Sequence, residues 1–305
     1  MKTIRQLSAL CAAALLLPSL STSAQEGKEY TIKLDRPDKA GDKSREEMKA
    51  TIERSQRLTR GDEKLKDEAS DMQVALTGVL EVVEVSEKGN MRKLTFTVEK
   101  SSLQEETGAA KELFKPGTVI TGISGTDDKD KFEVEGKPVT GSAAEALNEL
   151  FSLSGNDKKQ IDEDAVFGTT KPRAAGSEWA VEPKKFIESM PEDLPFTLEE
   201  DGVKGTVKFP AVKQANGVEC CQLQVSVTMK PATFKGMPRG FKLAKASFKV
   251  STESLAPVDA TLPLAEEKMD QRMEFSGEIP APDGAMTLEI FRRTVKERKS
   301  APVKP

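Results

Sequence analysis

Residues 72–100 read MQVALTGVLEVVEVSEKGNMRKLTFTVEK, and the fold turns on them. Val74, Leu76, Leu80 and Val82 share one parity, and Leu94, Phe96 and Val98 do the same beyond Glu87-Lys88-Gly89. Alternation of this kind marks a half-buried strand, so the stretch reads as a long antiparallel hairpin. A three-residue loop with Gly89 in the left-handed position sets Val82 against Leu94, Leu80 against Phe96 and Glu84 against Arg92. A slip of one residue would set Leu94 and Phe96 against Val83 and Glu81 and mix the faces, so the pattern selects the register.

Outward from the hairpin, residues 26–34 carry a short strand at YTIKL, and 36–43 form a polar turn. Residues 44–60 read as a long, solvated strand. Met48, Ala50, Ile52 and Leu58 fit a period of two and are too sparse for a helical stripe, although the residue types favour helix. The charged stretch 61–70 is expected to turn. Residues 118–123 and 131–134 form a second hairpin around 126–130. Ser142-Ala-Ala-Glu145 matches a capping box. Behind it Ala143, Ala146, Leu147, Leu150 and Phe151 recur at three and four, which predicts an amphipathic helix covering one face or mouth of the sheet, ended by Ser154-Gly155. Pro183 starts a short helix over 184–190, and 191–195 is a junction. The second half is strand after strand: 205–212, 218–229, 241–251, 256–264, 268–279 and 285–296. Over 218–229, Cys221, Leu223, Val225, Val227 and Met229 face a dry side, and Cys220, Gln222, Gln224, Ser226 and Thr228 a wet one.

The first 24 residues stand apart. Lys2 and Arg5 precede an apolar run over 7–17 and a small-residue stop at Thr22-Ser23-Ala24, the pattern of a secretory signal peptide cleaved near Ala24. Cys11 lies inside the apolar run, so lipid attachment is not implied. Taking Lys2 and Arg5 from the 46 basic residues leaves 44, against 50 acidic ones, with the signs interspersed. No nucleic acid partner is expected on that balance, and no later apolar run reaches bilayer length. The mature chain is expected to be periplasmic or extracellular, with no transmembrane segment.

Of the chemistry-bearing residues, histidine is absent. That removes Ser-His-Asp and Cys-His catalysis and imidazole metal sites. Cys220 and Cys221 are adjacent. On a strand they point to opposite faces, so a disulfide between them is geometrically poor. Cys221 reads as a small core residue and Cys220 as facing out or packing under a helix. A vicinal redox pair and an intermolecular bond are the other readings. Two acidic clusters, Asp127-Asp128 with Asp130 and Asp162-Glu163-Asp164, lack the spaced oxygens of a calcium loop and read as solvated turns. No catalytic residue, metal or cofactor is assigned. A glycosidase-type carboxylate pair stays open, because such pairs meet in space and not in sequence. Trp179, the single tryptophan, reads as a core anchor.

Val166-Phe167-Gly168, through Pro172, to Gly176-Ser177-Glu178-Trp179 resembles a pattern of uncharacterised exported bacterial proteins of a domain-of-unknown-function type. There a Phe-Gly-Pro-like loop leads to a Gly-Asp-x-Trp-like strand start; Thr169 and Ser177 depart from it. The resemblance implies an extracytoplasmic, β-rich protein with no assigned activity. The layout is also similar to the incomplete β-barrel of lipoprotein carrier proteins, a likeness of fold alone.

These readings give a mainly β protein: a strongly curved antiparallel sheet or open, incomplete barrel with one or two covering helices. Residues 25–296 form a single domain, with halves 25–190 and 191–296 as the alternative, and 297–305 a disordered tail. The expected function is non-enzymatic binding of an apolar small molecule, lipid or protein partner on a concave β surface. The alternatives are a carboxylate-dependent hydrolase acting on glycans and a purely structural envelope-associated protein.

Overall fold

The computed structural model describes residues 27–125, 130–153, 163–190, 194 and 196–303. The expected signal peptide, Asp127, Asp128, Asp162, the stop at Ser154-Gly155 and most of the 191–195 junction lie outside the described residues. The strands of the first half are β1 (Glu29–Tyr30), β2 (Lys43–Arg60), β3 (Glu63–Val85), β4 (Met91–Glu105), β5 (Val119–Ile123), β6 (Lys131–Val134) and β7 (Lys137–Pro138). Those of the second are β8 (Arg173–Ala174), β9 (Ser177–Ala180), β10 (Phe196–Thr197), β11 (Val203–Ala215), β12 (Val218–Met229), β13 (Thr233–Phe234), β14 (Lys242–Pro257), β15 (Glu266–Ile279) and β16 (Met286–Pro302). Three helices join them: α1 (Gly141–Leu150), α2 (Glu163–Val166) and α3 (Pro183–Ser189).

Twelve strands make one curved antiparallel sheet in the order β7-β6-β5-β4-β3-β2-β16-β15-β14-β12-β11-β9. It is two meanders joined at one seam, where β2 pairs with β16 from Ser44↔Pro302 to Arg60↔Met286. The edge strands β7 and β9 do not pair, so the sheet stays open and no barrel closes.

The deciding hairpin holds Val82↔Leu94 and Leu80↔Phe96 as read. Gly89 takes φ +81°, and the Ser86 N–H bonds the Asn90 carbonyl across the three-residue loop. A bulge after Val82 sets Glu84 against Lys93 instead of Arg92. A second irregularity pairs Thr77 with Lys100 and Gly78 with Val98, skipping Glu99. Buried parity on β4 therefore moves from Leu94, Phe96 and Val98 to Ser101 and Leu103.

Besides the Glu84 pairing, and the YTIKL strand, which is reduced to Glu29–Tyr30 paired with β8, four expectations need correction. The turn at 61–70 is only Gly61-Asp62; Glu63 onward is strand, paired to β2. Both faces there are solvated, so no apolar alternation marked it. Of the strand placed at 256–264, Ala256 and Pro257 end β14 and the rest is a turn, fixed by the Thr261 N–H on Asp259 at 2.9 Å and by Arg36 on the carbonyls of Pro257, Asp259 and Leu262. The capping box does not form. Thr140 is the N-cap and makes no side-chain cap bond, Ser142 turns its hydroxyl to Glu105, and Glu145 pairs with Arg54. Lastly, residues 297–302 of the expected disordered tail complete β16. Ser300 is buried, and the Val303 N–H bonds the Lys43 carbonyl at 3.1 Å. Lys and Pro report solvation, not whether a neighbour supplies backbone partners.

The core lies on one face. Under α1 it gathers Met48, Leu80, Leu94, Phe96, Leu147 and Phe151, with Phe151 edge-on to Phe96 at 5.4 Å. Under α2 and α3 it gathers Val166, Phe186, Val207 and Val227. The other face is a solvated lattice of ion pairs such as Lys268–Glu297 and Arg293–Asp270.

Candidate functional site

Cross-strand register shows where the covered face changes character. One rung runs Leu76, Met48, Arg298, Glu267, Ser254, Leu223 across β3, β2, β16, β15, β14 and β12. The next runs Val74, Ala50, Lys296, Met269, Thr252, Val225. Each is apolar at its ends and, Met269 apart, polar or charged in the middle. The helices cover the ends, and a trough remains over β15 and β16. Its cavity of about 170 Å³ has Met48, Leu80, Leu94, Leu150, Phe151 and Met269 as apolar lining, with Glu149, Glu267, Lys296 and Arg298.

The charges are held in sets. Glu46, fully buried, accepts two bonds from Arg298 at 2.8 and 3.1 Å and one each from the hydroxyls of Ser44 and Ser300. Glu149 descends from α1 onto Arg292 at 2.5 Å and Arg54 at 3.4 Å, and lies 3.7 Å from Lys296. Burial holds the Lys296 ammonium below its ordinary pKa, and Glu149 opposes that. Burial pushes the Glu267 carboxyl up, against the pull of Arg298 and Lys296. Among the described residues, the Glu267 carboxylate accepts no hydrogen bond and joins no ion pair.

On the other bank, Asp164 of α2 accepts the N–H groups of Leu34 and Asp35, and the Thr169 N–H bonds the Ile32 carbonyl at 3.1 Å. These bonds fix α2 with Glu163 near Glu267. Desolvation first, then the charges of Glu267, Asp35 and Asp164, push the Glu163 carboxyl up to about 7. Glu163 is nonetheless an exposed residue.

Of the residues singled out from the sequence, Glu163 is the one that feels the charge of a group of the trough, Glu267; Glu163 itself is not part of the cavity lining. Asp130 fastens the end of α1, accepting the Leu153 N–H at 2.8 Å. Trp179 anchors two apolar clusters, and its Nε1 donates to the Phe167 carbonyl at 3.2 Å. Cys220 and Cys221 are both buried free thiols. Cys221 lines a second hollow of about 370 Å³ under the segment from Lys28 to Arg36. Burial pushes both thiols up, Cys221 to about 11. Lys296, Arg298, Glu149 and Glu267 escaped the sequence reading. One signal was present: Arg292, Thr294, Lys296 and Arg298 continue the parity of Ile290, so a single strand face changes from apolar to cationic.

No family model matches the chain, and no curated protein matches it. Among solved structures it is similar to lipovitellin, with a TM-score of 0.30 and 8% identity over 88% of this chain. The chain spans 26% of the lipovitellin chain. It is also similar to an outer membrane channel from Pseudomonas putida F1, with a TM-score of 0.20 and 7% identity over 89% of this chain and 100% of that one. A third is MucB in complex with MucA, with a TM-score of 0.15 and 8% identity over 85% of this chain and 94% of that one. Overlaps this low leave the functional reading to the chain's own geometry.

Proposed function

We propose that this is an exported, non-enzymatic binding protein whose site is the trough between α1 and the β15–β16 floor. One observation carries the reading. The apolar ends of the covered face are filled, with Phe96, Ile120 and Val207 at 0% exposure, while the middle stays open and sets apolar walls beside charged groups. Pockets that hold small molecules or partner side chains combine apolar lining with a few placed polar groups. Native mass spectrometry after gentle purification tests this. A retained small molecule, lipid or peptide is the expected result, and a chain that always purifies bare would overturn it.

A second reading has its own support. Glu163 of α2 feels the charge of Glu267 on the trough floor, and both carboxyls are held above their ordinary range. A carboxyl kept protonated near neutral pH, with a second carboxyl close by, is what glycoside hydrolysis uses for its general acid. Turnover of aryl glycosides, abolished by Glu163→Gln, would favour this reading; no turnover on a broad panel retires it.

A further inference from the structure

We propose that the trough cavity seats a small zwitterion with one apolar side chain, an amino-acid-like ligand, with Lys296 facing its carboxylate and Glu267 its ammonium. The inference rests on the trough being a binding site and names what it binds.

Most of the charge around the cavity is already matched. Arg298 is committed to Glu46 by two bonds. Glu149 is committed to Arg292 and Arg54. Lys49 and Glu297 border the cavity from the opposite parity, with Glu297 held by Lys268. Among the lining residues on the covered face, two groups are left over. Lys296 reaches only the shared Glu149, at 3.7 Å. The Glu267 carboxylate has no direct partner among the described residues. The two stand one rung apart on adjacent strands, Lys296 opposite Met269 and Glu267 opposite Arg298, and they make no ion pair with each other. Burial works against both charges, lowering the pKa of one and raising that of the other. A ligand carrying both signs brings each a counter-charge and offsets both desolvation costs. A purely anionic ligand would meet Glu267, and a purely cationic one Lys296.

Size narrows the class. The cavity holds about 170 Å³, close to the roughly 150 Å³ that accommodates a benzene ring. That is room for one aliphatic or aromatic side chain and not for a long acyl chain. The walls at Met48, Leu150, Phe151 and Met269 suit such a group, since thioethers adapt to irregular apolar shapes.

Titration calorimetry on the mature protein tests this with L-leucine, L-phenylalanine, N-acetyl-leucine, which lacks the ammonium, and leucinamide, which lacks the carboxylate. Both amino acids are expected to bind, and each singly charged analogue roughly tenfold more weakly, as losing a charged contact implies. Lys296→Met should erase the preference for leucine over leucinamide, and Lys296→Arg should keep it. Glu267→Gln should erase the preference for leucine over N-acetyl-leucine. If leucine and its analogues bind equally, the zwitterion is overturned while the trough remains a site. If none binds, the zwitterion is again overturned, and the molecule retained in native mass spectrometry, or its absence, decides separately for the trough.

Discussion

Glu46 is a carboxylate with no solvent access, yet Arg298 and the hydroxyls of Ser44 and Ser300 fill its acceptor positions. Glu46→Ala leaves Arg298 unpaired. It should cost about 3 kcal/mol, the low end for breaking a buried pair because Arg298 keeps water on one side; the urea midpoint reports it. Glu163 governs a pH effect of definite sign. Its carboxyl is raised in the fold from 4.5 to about 7, so the folded state favours the protonated form. Its contribution is fully present below pH 4.5 and is lost as pH rises to about 7. Glu163→Gln should flatten stability across that window in denaturant titrations. Cys220 and Cys221 should resist alkylation at neutral pH until the chain unfolds, since reactivity needs exposed thiolate; intact mass after iodoacetamide treatment shows it. The sequence showed the cysteines on opposite strand faces and the tryptophan as an anchor, because both follow from local geometry. It could not show Glu46 with Arg298, 252 residues away.

Among the elements, the β3–β4 hairpin was the most legible, since alternation and Gly89 jointly set its register. Its bulges were not, because skipping Glu99 leaves no mark in composition. Gly78 sits where that skip brings β4 close: a Cβ there would lie 2.6 Å from the Phe96 ring and closer still to the Thr97 carbonyl. Gly78→Ala should therefore lower stability by about 2 kcal/mol, the usual cost of overpacking, read as a drop in melting temperature. Removing residues 297–305 discriminates between a tail and a strand. A disordered tail would leave the fold untouched. Here truncation strips Arg298 and Ser300 from Glu46 and should abolish the sharp thermal transition followed by circular dichroism. The capping box failed for a related reason: Ser142 and Glu145 found partners on the sheet, Glu105 and Arg54, that a local motif cannot anticipate.

At the scale of the molecule, a mainly β chain, an open antiparallel sheet and covering helices were readable because period two persists through nearly every long segment. The trough was not, since its groups come from α1, β15 and β16 and meet only after folding. Strand order carries one more consequence. The first meander and the second touch chiefly along β2 and β16, a zipper whose two sides come from opposite ends of the described chain. A polypeptide laid out this way is separable into complementary pieces. Cleaved between Leu153 and Glu163, the two co-expressed fragments are expected to find each other and elute together, each presenting an unpaired border strand that the other alone can match in register.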